Sequence, residues 1–486
     1  MASLEELRNT RIEKLNILKS KGLNPFPASC KRDFYINEVI ADFDNLSKKE
    51  SVTLVGRVMA IRGQGGLIFF NFNDGTATLQ GLLKKDEMDA GIFDLFVDTV
   101  DMGDFVEVSG SLFITKRGEK TLKVSTWKML TKGLRPLPDK WDGLQDEEEK
   151  LRRRYLDIMF NPEVKDMFVK RSKFWSAFRE FLTNKGFMEV ETPVLENTPG
   201  GAEAKPFITH HNALDMEVYM RISPELWLKR LMVAGFPKVF EIGRDFRNEG
   251  MDAEHLQDYS MLECYEAFSD YNQGMKFVEE MYRFVAEKTF GTLKFKIRNF
   301  EIDLADKWEI YDYTETIKKM TGVDISKADL EEVEEALKKL KVEYERGEGF
   351  NLTRAIDNLW KYCRRQIAGP GFLIGVPVIM EPLAKRMESN PNLVERFQVI
   401  LAGSEMGKGF SELNDPLDQM DRFMDQAKLR DEGDEEAQMT DGDFVEALEY
   451  GMPPTFGFGF SERLFSFLMN KPAREAQIFP LLKPKK

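Results

Sequence analysis

The stretch Arg221–Tyr265, RISPELWLKRLMVAGFPKVFEIGRDFRNEGMDAEHLQDYSMLECY, decides the fold of this chain. Pro224 stands just inside the start of Leu226–Val233, where apolar residues recur at helical spacing. Lys238–Ile242 (KVFEI) reads as a short strand and Tyr259–Phe268 as a second, with the polar stretch Asn248–Asp258 joining them into a hairpin. Glu225, Glu241, Arg244, Arg247, Glu249, Glu263 and Tyr265 fall on or beside these strands. Alternate residues of a strand share a face, so Glu263 and Tyr265 lie on the same side. A charge such as Glu241 or Arg247 is costly to bury unpaired, so the charges mark either a charged pocket or a solvated hairpin edge.

Size and composition bound the alternatives. With 486 residues, 42% hydrophobic and 31% charged, the chain is long enough for two or three soluble domains, each with its own core. Cys30, Cys264 and Cys363 lie far apart, without the spacing of a zinc site or a disulfide framework. Of three histidines, His210 and His211 are adjacent, a poor arrangement for one metal. The first twenty residues are charged throughout and no long apolar run follows, which predicts no signal peptide, no membrane span and a cytoplasmic location. A net charge of −14 argues against a general nucleic-acid coat but leaves room for local patches. The acidic runs Asp146–Glu149 and Asp431–Glu436 read as solvated faces or loops.

Residues 3 to about 22 predict an amphipathic helix with Leu4, Leu7, Ile12, Leu15 and Leu18 on its apolar side, stopped by Gly22. Between 51 and about 135 come five alternating segments separated by Gly-rich turns, the pattern of a small closed barrel of the OB kind. Such barrels hold single-stranded nucleic acid by stacking and edge reading, for which Phe69, Gln80 and Glu119 are the candidates; the same residues also fit core and surface positions. Pro136 and Pro138 mark a linker, with a boundary near residue 140. An apolar stripe predicts a long helix over Glu163–Lys185, and FMEVETPVL after it a strand. Thr198–Asn212 is a Gly-rich loop without the spacing of a known phosphate loop. Residues 313–371 read as a helical insert with no chemistry of its own, including a capping box at Ser326–Asp329. Phe372–Val378 predicts a buried strand, and Gly451–Leu468 a Gly-rich strand opening into a helix with Arg463 near its start.

These pieces in this order resemble the class II aminoacyl-tRNA synthetases. Phe246–Gly250, FRNEG, is similar to motif 2, Phe187–Leu195 with Pro193 to motif 1, and the Gly-rich strand before Arg463 to motif 3. PELWLKRL, MLECYEA and GFSELNDP (409–416) resemble the lysyl enzymes more closely than the aspartyl and asparaginyl ones. The resemblance implies an α+β chain: residues 1–140 with an OB-fold anticodon barrel, then a catalytic domain, 141–486, on an antiparallel sheet. It implies activation of L-lysine by ATP with magnesium, transfer to tRNA(Lys), and a homodimer built through motif 1. By the same resemblance, Arg247 bridges the α-phosphate and the amino-acid carboxylate and Arg463 holds the γ-phosphate. Glu249, His255, Tyr259 and Glu405 join them at the nucleotide, with Glu405 and the position of Gln398 toward magnesium. Gly201, Glu225, Glu263, Tyr265, Lys408, Phe410 and Glu412 surround lysine; Arg57, Arg62, Phe69, Gln80 and Glu119 face the anticodon.

An aspartate pocket would need a cation where Glu412 stands, and retention of both Arg247 and Arg463 argues against a non-catalytic tRNA-binding relative. Four departures stand out. Gln398 replaces a glutamate common in the family, and Lys408 an asparagine. Motif 3 is one residue short between Pro454 and Arg463, and Leu256-Gln257-Asp258 stands where asparagine–proline–glutamate is usual.

Overall fold

In the computed structural model the described residues are 3–138, 146–250, 255–344, 346, 350–431 and 437–485. The expected boundary near 140 and all but Asp431 of the acidic run Asp431–Glu436 fall outside them. The chain divides into two compact units, Met1–Gln145 and Asp146–Lys486.

In the first unit, strands β1 (Val52–Gln64), β2 (Leu67–Asn73), β3 (Thr78–Lys84), β4 (Phe105–Ile114) and β5 (Lys120–Thr131) close into a barrel in the order β1-β2-β3-β5-β4. Alternation sends Ile68, Phe70 and Phe72 inward, where they pack with Val58, Val106 and Leu122. A helix over Ala90–Thr99, absent from the sequence reading, packs Phe93 and Phe96 into the same core. The N-terminal helix, Leu4–Ser20, differs from expectation. Leu15 and Leu18 are buried, but Leu4 and Leu7 are exposed. Arg11 is buried instead, its guanidinium donating to the carbonyls of Met102 and Gly133 at 3.0 Å each. Carbonyls gathered at that face need a donor, which a leucine could not supply.

The second unit is built on an eight-stranded sheet. Its strands are β6 (Met188–Glu189), β7 (Lys238–Phe246), β8 (Asp258–Ala267), β9 (Glu309–Asp312), β10 (Gly371–Ile374), β11 (Arg396–Leu401), β12 (Ser404–Ser411) and β13 (Thr455–Ser461). They lie in the order β9-β10-β11-β12-β13-β8-β7-β6, antiparallel throughout except at the two edge pairings, β9–β10 and β7–β6. One face carries the helices Pro162–Asn184 and Tyr271–Phe290, whose Phe174, Phe178, Val278 and Met281 meet Phe456, Phe458 and Phe460 of β13. The period of two then turns Gly457 and Gly459 to the opposite face. There Leu226, Leu228 and Met232 of the Glu225–Val233 helix pack with Val239 and Tyr265 in a separate core.

Four readings are corrected by the fold. Motif 1 does not run as one strand: Met188–Glu189 and Leu195–Glu196 are separate short pieces with Pro193, which has no N–H to give a ladder, between them. The 313–371 segment is the crossover between two parallel strands, β9 and β10, a connection that parallel pairing requires. Its helices span Tyr313–Thr321, Leu330–Lys339 and Leu352–Arg364. The cap of the second is Asp329, accepting from the Glu332 amide at 2.9 Å, and not a box begun by Ser326, whose hydroxyl donates to Asp324. The strand expected over Phe372–Val378 stops at Ile374.

Candidate active site

β7 and β8 form the expected hairpin, longer than predicted, with Glu241 opposite Glu263 and Phe246 opposite Asp258. Glu263 and Tyr265 project from β8 into a cavity of about 370 Å³ on the face away from the long helices. Gly201, Glu225, Arg247, Glu263, Tyr265, Lys408, Phe410 and Glu412 all line it, as does Gln398. β13 supplies the floor. A Cβ at Gly457 would stand 1.9 Å from Oε1 of Glu412, and one at Gly201 would meet Glu225 and Ser223 below 3.0 Å. Glycine is therefore required at both places for the acids to reach the cavity.

The acids form a connected cluster. Ser223 and Tyr265 donate to the two oxygens of Glu263 at 2.6 and 2.8 Å. Burial, reinforced by the nearby charge of Glu225, pushes the Glu263 carboxyl up to about 8. Lys229, one turn along the helix from Glu225, is fully buried and lies 2.6 Å from Glu225 and against Glu412. Burial pulls its pKa down, but the two flanking carboxylates win and hold it up, so the ammonium stays charged. The other oxygen of Glu412, Oε1, is buried without a hydrogen-bond partner among the described residues. The sequence reading missed Lys229 and Ser223; the i, i+4 spacing of Glu225 and Lys229 was the available signal.

Opposite the acids lie cations. The Arg247 guanidinium reaches the Ile222 carbonyl at 3.3 Å and sits 5.6 Å from the centre of the Tyr259 ring. Arg396 and Lys408 flank Glu381, each 3.1 Å from its carboxylate. Burial would raise the Glu381 carboxyl, but these two charges outweigh it and hold it low. Phe410 lies between two ammoniums, 5.3 Å from that of Lys229 and 5.7 Å from that of Lys408.

The residues expected at the nucleotide are more dispersed. Tyr259 is buried beside Arg247, Glu249 is exposed, and His255 lines a different cavity, of about 750 Å³, with Arg244, Gln257 and Arg474. Arg463 donates to the backbone carbonyl of Glu405 at 3.3 Å. Glu405 itself accepts from Trp360 at 2.7 Å and pairs with Arg364 at 2.6 Å. The 313–371 segment thus fixes a candidate site residue, contrary to its expected lack of chemistry. Glu241, one of the charges left between a pocket and a solvated edge, is a structural one: Arg221, fully buried, binds it at 2.6 Å and Asp245 at 3.1 Å. The remainder of the polar loop, 251–254, lies outside the described residues.

For the implied magnesium the donor set fits poorly. Both oxygens of Glu405 are engaged, the Gln398 amide oxygen accepts from Arg396 at 2.6 Å, and no group of three acidic, histidine or cysteine side chains suited to a metal exists among the described residues.

In the barrel, register brings the anticodon candidates together. Arg57 pairs with Asn73 and Arg62 with Phe69 across β1 and β2, and a bulge between Val58 and Ala60 puts both arginines on one face. Phe69 points outward, away from the buried Ile68 and Phe70. Gln80 is opposite Asn71 on that face and donates to Thr121 at 2.9 Å, whose hydroxyl in turn donates to the Glu119 carbonyl at 3.1 Å.

Comparison with known proteins agrees with both units. Residues 146–483 match the family model of tRNA synthetases class II (D, K and N), and residues 52–130 that of the OB-fold nucleic acid binding domain. The lysine–tRNA ligases of Thermotoga maritima and Thermosipho africanus are each 43% identical over 99% of this chain and 97% of their own. That of Thermoanaerobacter sp. (strain X514) is 44% identical over the same shares. The chain belongs to the class II tRNA synthetases of the D, K and N group, within the lysine–tRNA ligase family.

Proposed function

We propose that the chain is a lysine–tRNA ligase that activates L-lysine with ATP and passes it to tRNA(Lys) read by the barrel. The observation that carries the lysine assignment is the acid cluster: Glu225 and Glu412 share the one internal ammonium of Lys229, Glu263 is held by two hydroxyls alone, and Oε1 of Glu412 lacks a donor among the described residues. A ligand with two ammonium groups completes that balance; an acidic one would add to its excess. The lysine carboxylate oxygen attacks the α-phosphorus in line, a new C–O–P bond forms, and the bond to pyrophosphate breaks with its electron pair. Arg247 and Arg463 offset the charge gathering on the phosphates. The chain's task is positioning, so no protein nucleophile takes part. Tyr259, beside Arg247, faces adenine, with Glu249 near it and His255 reaching the nucleotide from the neighbouring cavity. Magnesium arrives with the ATP.

The same reading makes the active form a homodimer through motif 1. Val194 and Leu195, next to Pro193, and Ile208, on the strand across Met216–Met220, are exposed apolar residues that a second copy would cover. It also places the protein in the cytoplasm, and no helix among the described residues is long and apolar enough to cross a membrane. Amino-acid-dependent ATP–pyrophosphate exchange tests the assignment. Exchange should need lysine and be silent with asparagine or aspartate; exchange with either of these and none with lysine would overturn it.

A further inference from the structure

The poor fit of the donor set to a second metal ion has a counterpart one strand away. Gln398 on β11 and Lys408 on β12 are direct partners in the ladder. Where a carboxylate would invite a cation, Gln398 offers a neutral amide whose oxygen is already taken by Arg396. Beside it Lys408 brings a fixed positive charge into the same cavity, held 3.1 Å from Glu381 and partly open to solvent. Two carboxylates that could serve instead are engaged: Glu381 by Arg396 and Lys408, and Glu405 by Arg364 and Trp360. A divalent ion beside Gln398 would lack an anionic ligand on β11 and meet two resident cations, Arg396 and Lys408.

We infer that the Lys408 ammonium takes the place of a protein-held divalent ion, so that this chain works with only the magnesium its ATP carries. Lys408, which lines the cavity with Arg247, then attracts the amino-acid carboxylate or the α-phosphate. It keeps its proton throughout: the carboxylate–phosphorus bond still forms as the bond to pyrophosphate breaks. This rests on the ligase reading for the role of the charge, though not for the number of ions.

Counting manganese by electron paramagnetic resonance tests it on the full chain with a non-hydrolysable ATP analogue. The natural chain should bind one ion per nucleotide, and the double variant Gln398→Glu/Lys408→Asn should bind at least one more. More than one ion in the natural chain, or no gain in the variant, would overturn the inference. Because this count needs no catalysis, it stands apart from the lysine assignment. A kinetic arm uses single-turnover lysyl-adenylate formation from stoichiometric MgATP. Added free magnesium should leave the natural chain unchanged and accelerate the double variant; acceleration of the natural chain to a similar degree would count against the idea. Lys408→Met should slow adenylate formation at least tenfold, with partial rescue by Lys408→Arg, and an unchanged rate would remove Lys408 from the reaction.

Discussion

An ammonium with no solvent contact needs opposite charge on more than one side, and Lys229 has it in Glu225 and Glu412. That leaves Glu263 without a cation of its own, supported by two hydroxyl donors and raised to about 8 by burial and by Glu225. Its proton is therefore still present at neutral pH before lysine arrives, and an incoming ammonium displaces it. The sign follows: a carboxyl raised in the empty pocket and lowered in the complex gives off protons on binding, so lysine affinity rises as pH climbs from about 6 toward 8. Calorimetry of lysine binding in buffers of different ionisation enthalpy should show that release at pH 7, and Glu263→Gln should abolish it. The same variant should raise the lysine KM on the order of 100-fold, since an ammonium stripped of its buried charged partner loses about 2–5 kcal/mol. Proton release that persists in Glu263→Gln would assign the titration elsewhere in the cluster. Residues at this scale were only partly legible. The acids were readable because three of them stood in motifs of a known pattern. Lys229 was not, because an i, i+4 acid–lysine pair in sequence looks the same on a wet helix face as in a sealed one. The role of Glu241 stayed open for the converse reason: its partner Arg221 is twenty residues earlier, and only the fold brings them to 2.6 Å.

At the scale of elements, local patterns were faithful wherever one face of a strand is buried. The sequence TFGFGFS in β13 can lie only one way: phenylalanines on the helices, glycines toward the cavity. Patterns failed where tertiary pairing overrides them. Motif 1 breaks at Pro193, and the supposed insert is a crossover whose last helix, Leu352–Arg364, reaches Glu405. Nothing local in residues 313–371 signals that reach, because Trp360 and Arg364 look like any amphipathic helix turn until β12 is placed beside them. The helix is thereby predicted to matter for the nucleotide. Trp360→Phe removes the indole donor to Glu405 and Arg364→Gln its ion pair. A hydrogen bond to a charged group is worth about 1.5–3 kcal/mol, so either change should raise the ATP KM roughly tenfold or more. The lysine KM should stay near its natural value, because neither residue lines the acid cluster. Steady-state kinetics with each substrate varied in turn reads the split. Equal rises in both constants would show a general loss of packing instead.

For the whole molecule, the division of labour follows from where the cores lie. The barrel encloses its own set of apolar side chains, among them Phe70, Phe72, Val106 and Leu122. The second unit has two others, one on each face of its sheet. Among the described residues each of these cores draws on one unit alone, which is the condition for units that fold separately. The acids, Arg247 and Arg463 all belong to Asp146–Lys486, whereas Arg57, Arg62, Phe69 and Gln80 all belong to Met1–Gln145. A fragment covering 146–486 should therefore melt cooperatively and keep lysine-dependent pyrophosphate exchange within a few-fold of the full chain. It should lose most of its tRNA charging, because anticodon contacts of the stacking kind contribute about 1–3 kcal/mol per base. The complementary experiment keeps the chain whole and changes Phe69→Ala. Exchange should be untouched, while the tRNA KM rises with greater sensitivity to salt, since the chain's net charge of −14 leaves only local basic patches to hold RNA. Loss of exchange in the fragment, despite a cooperative melt, would mean that the barrel shapes the amino-acid pocket and that the two sets of residues do not act independently.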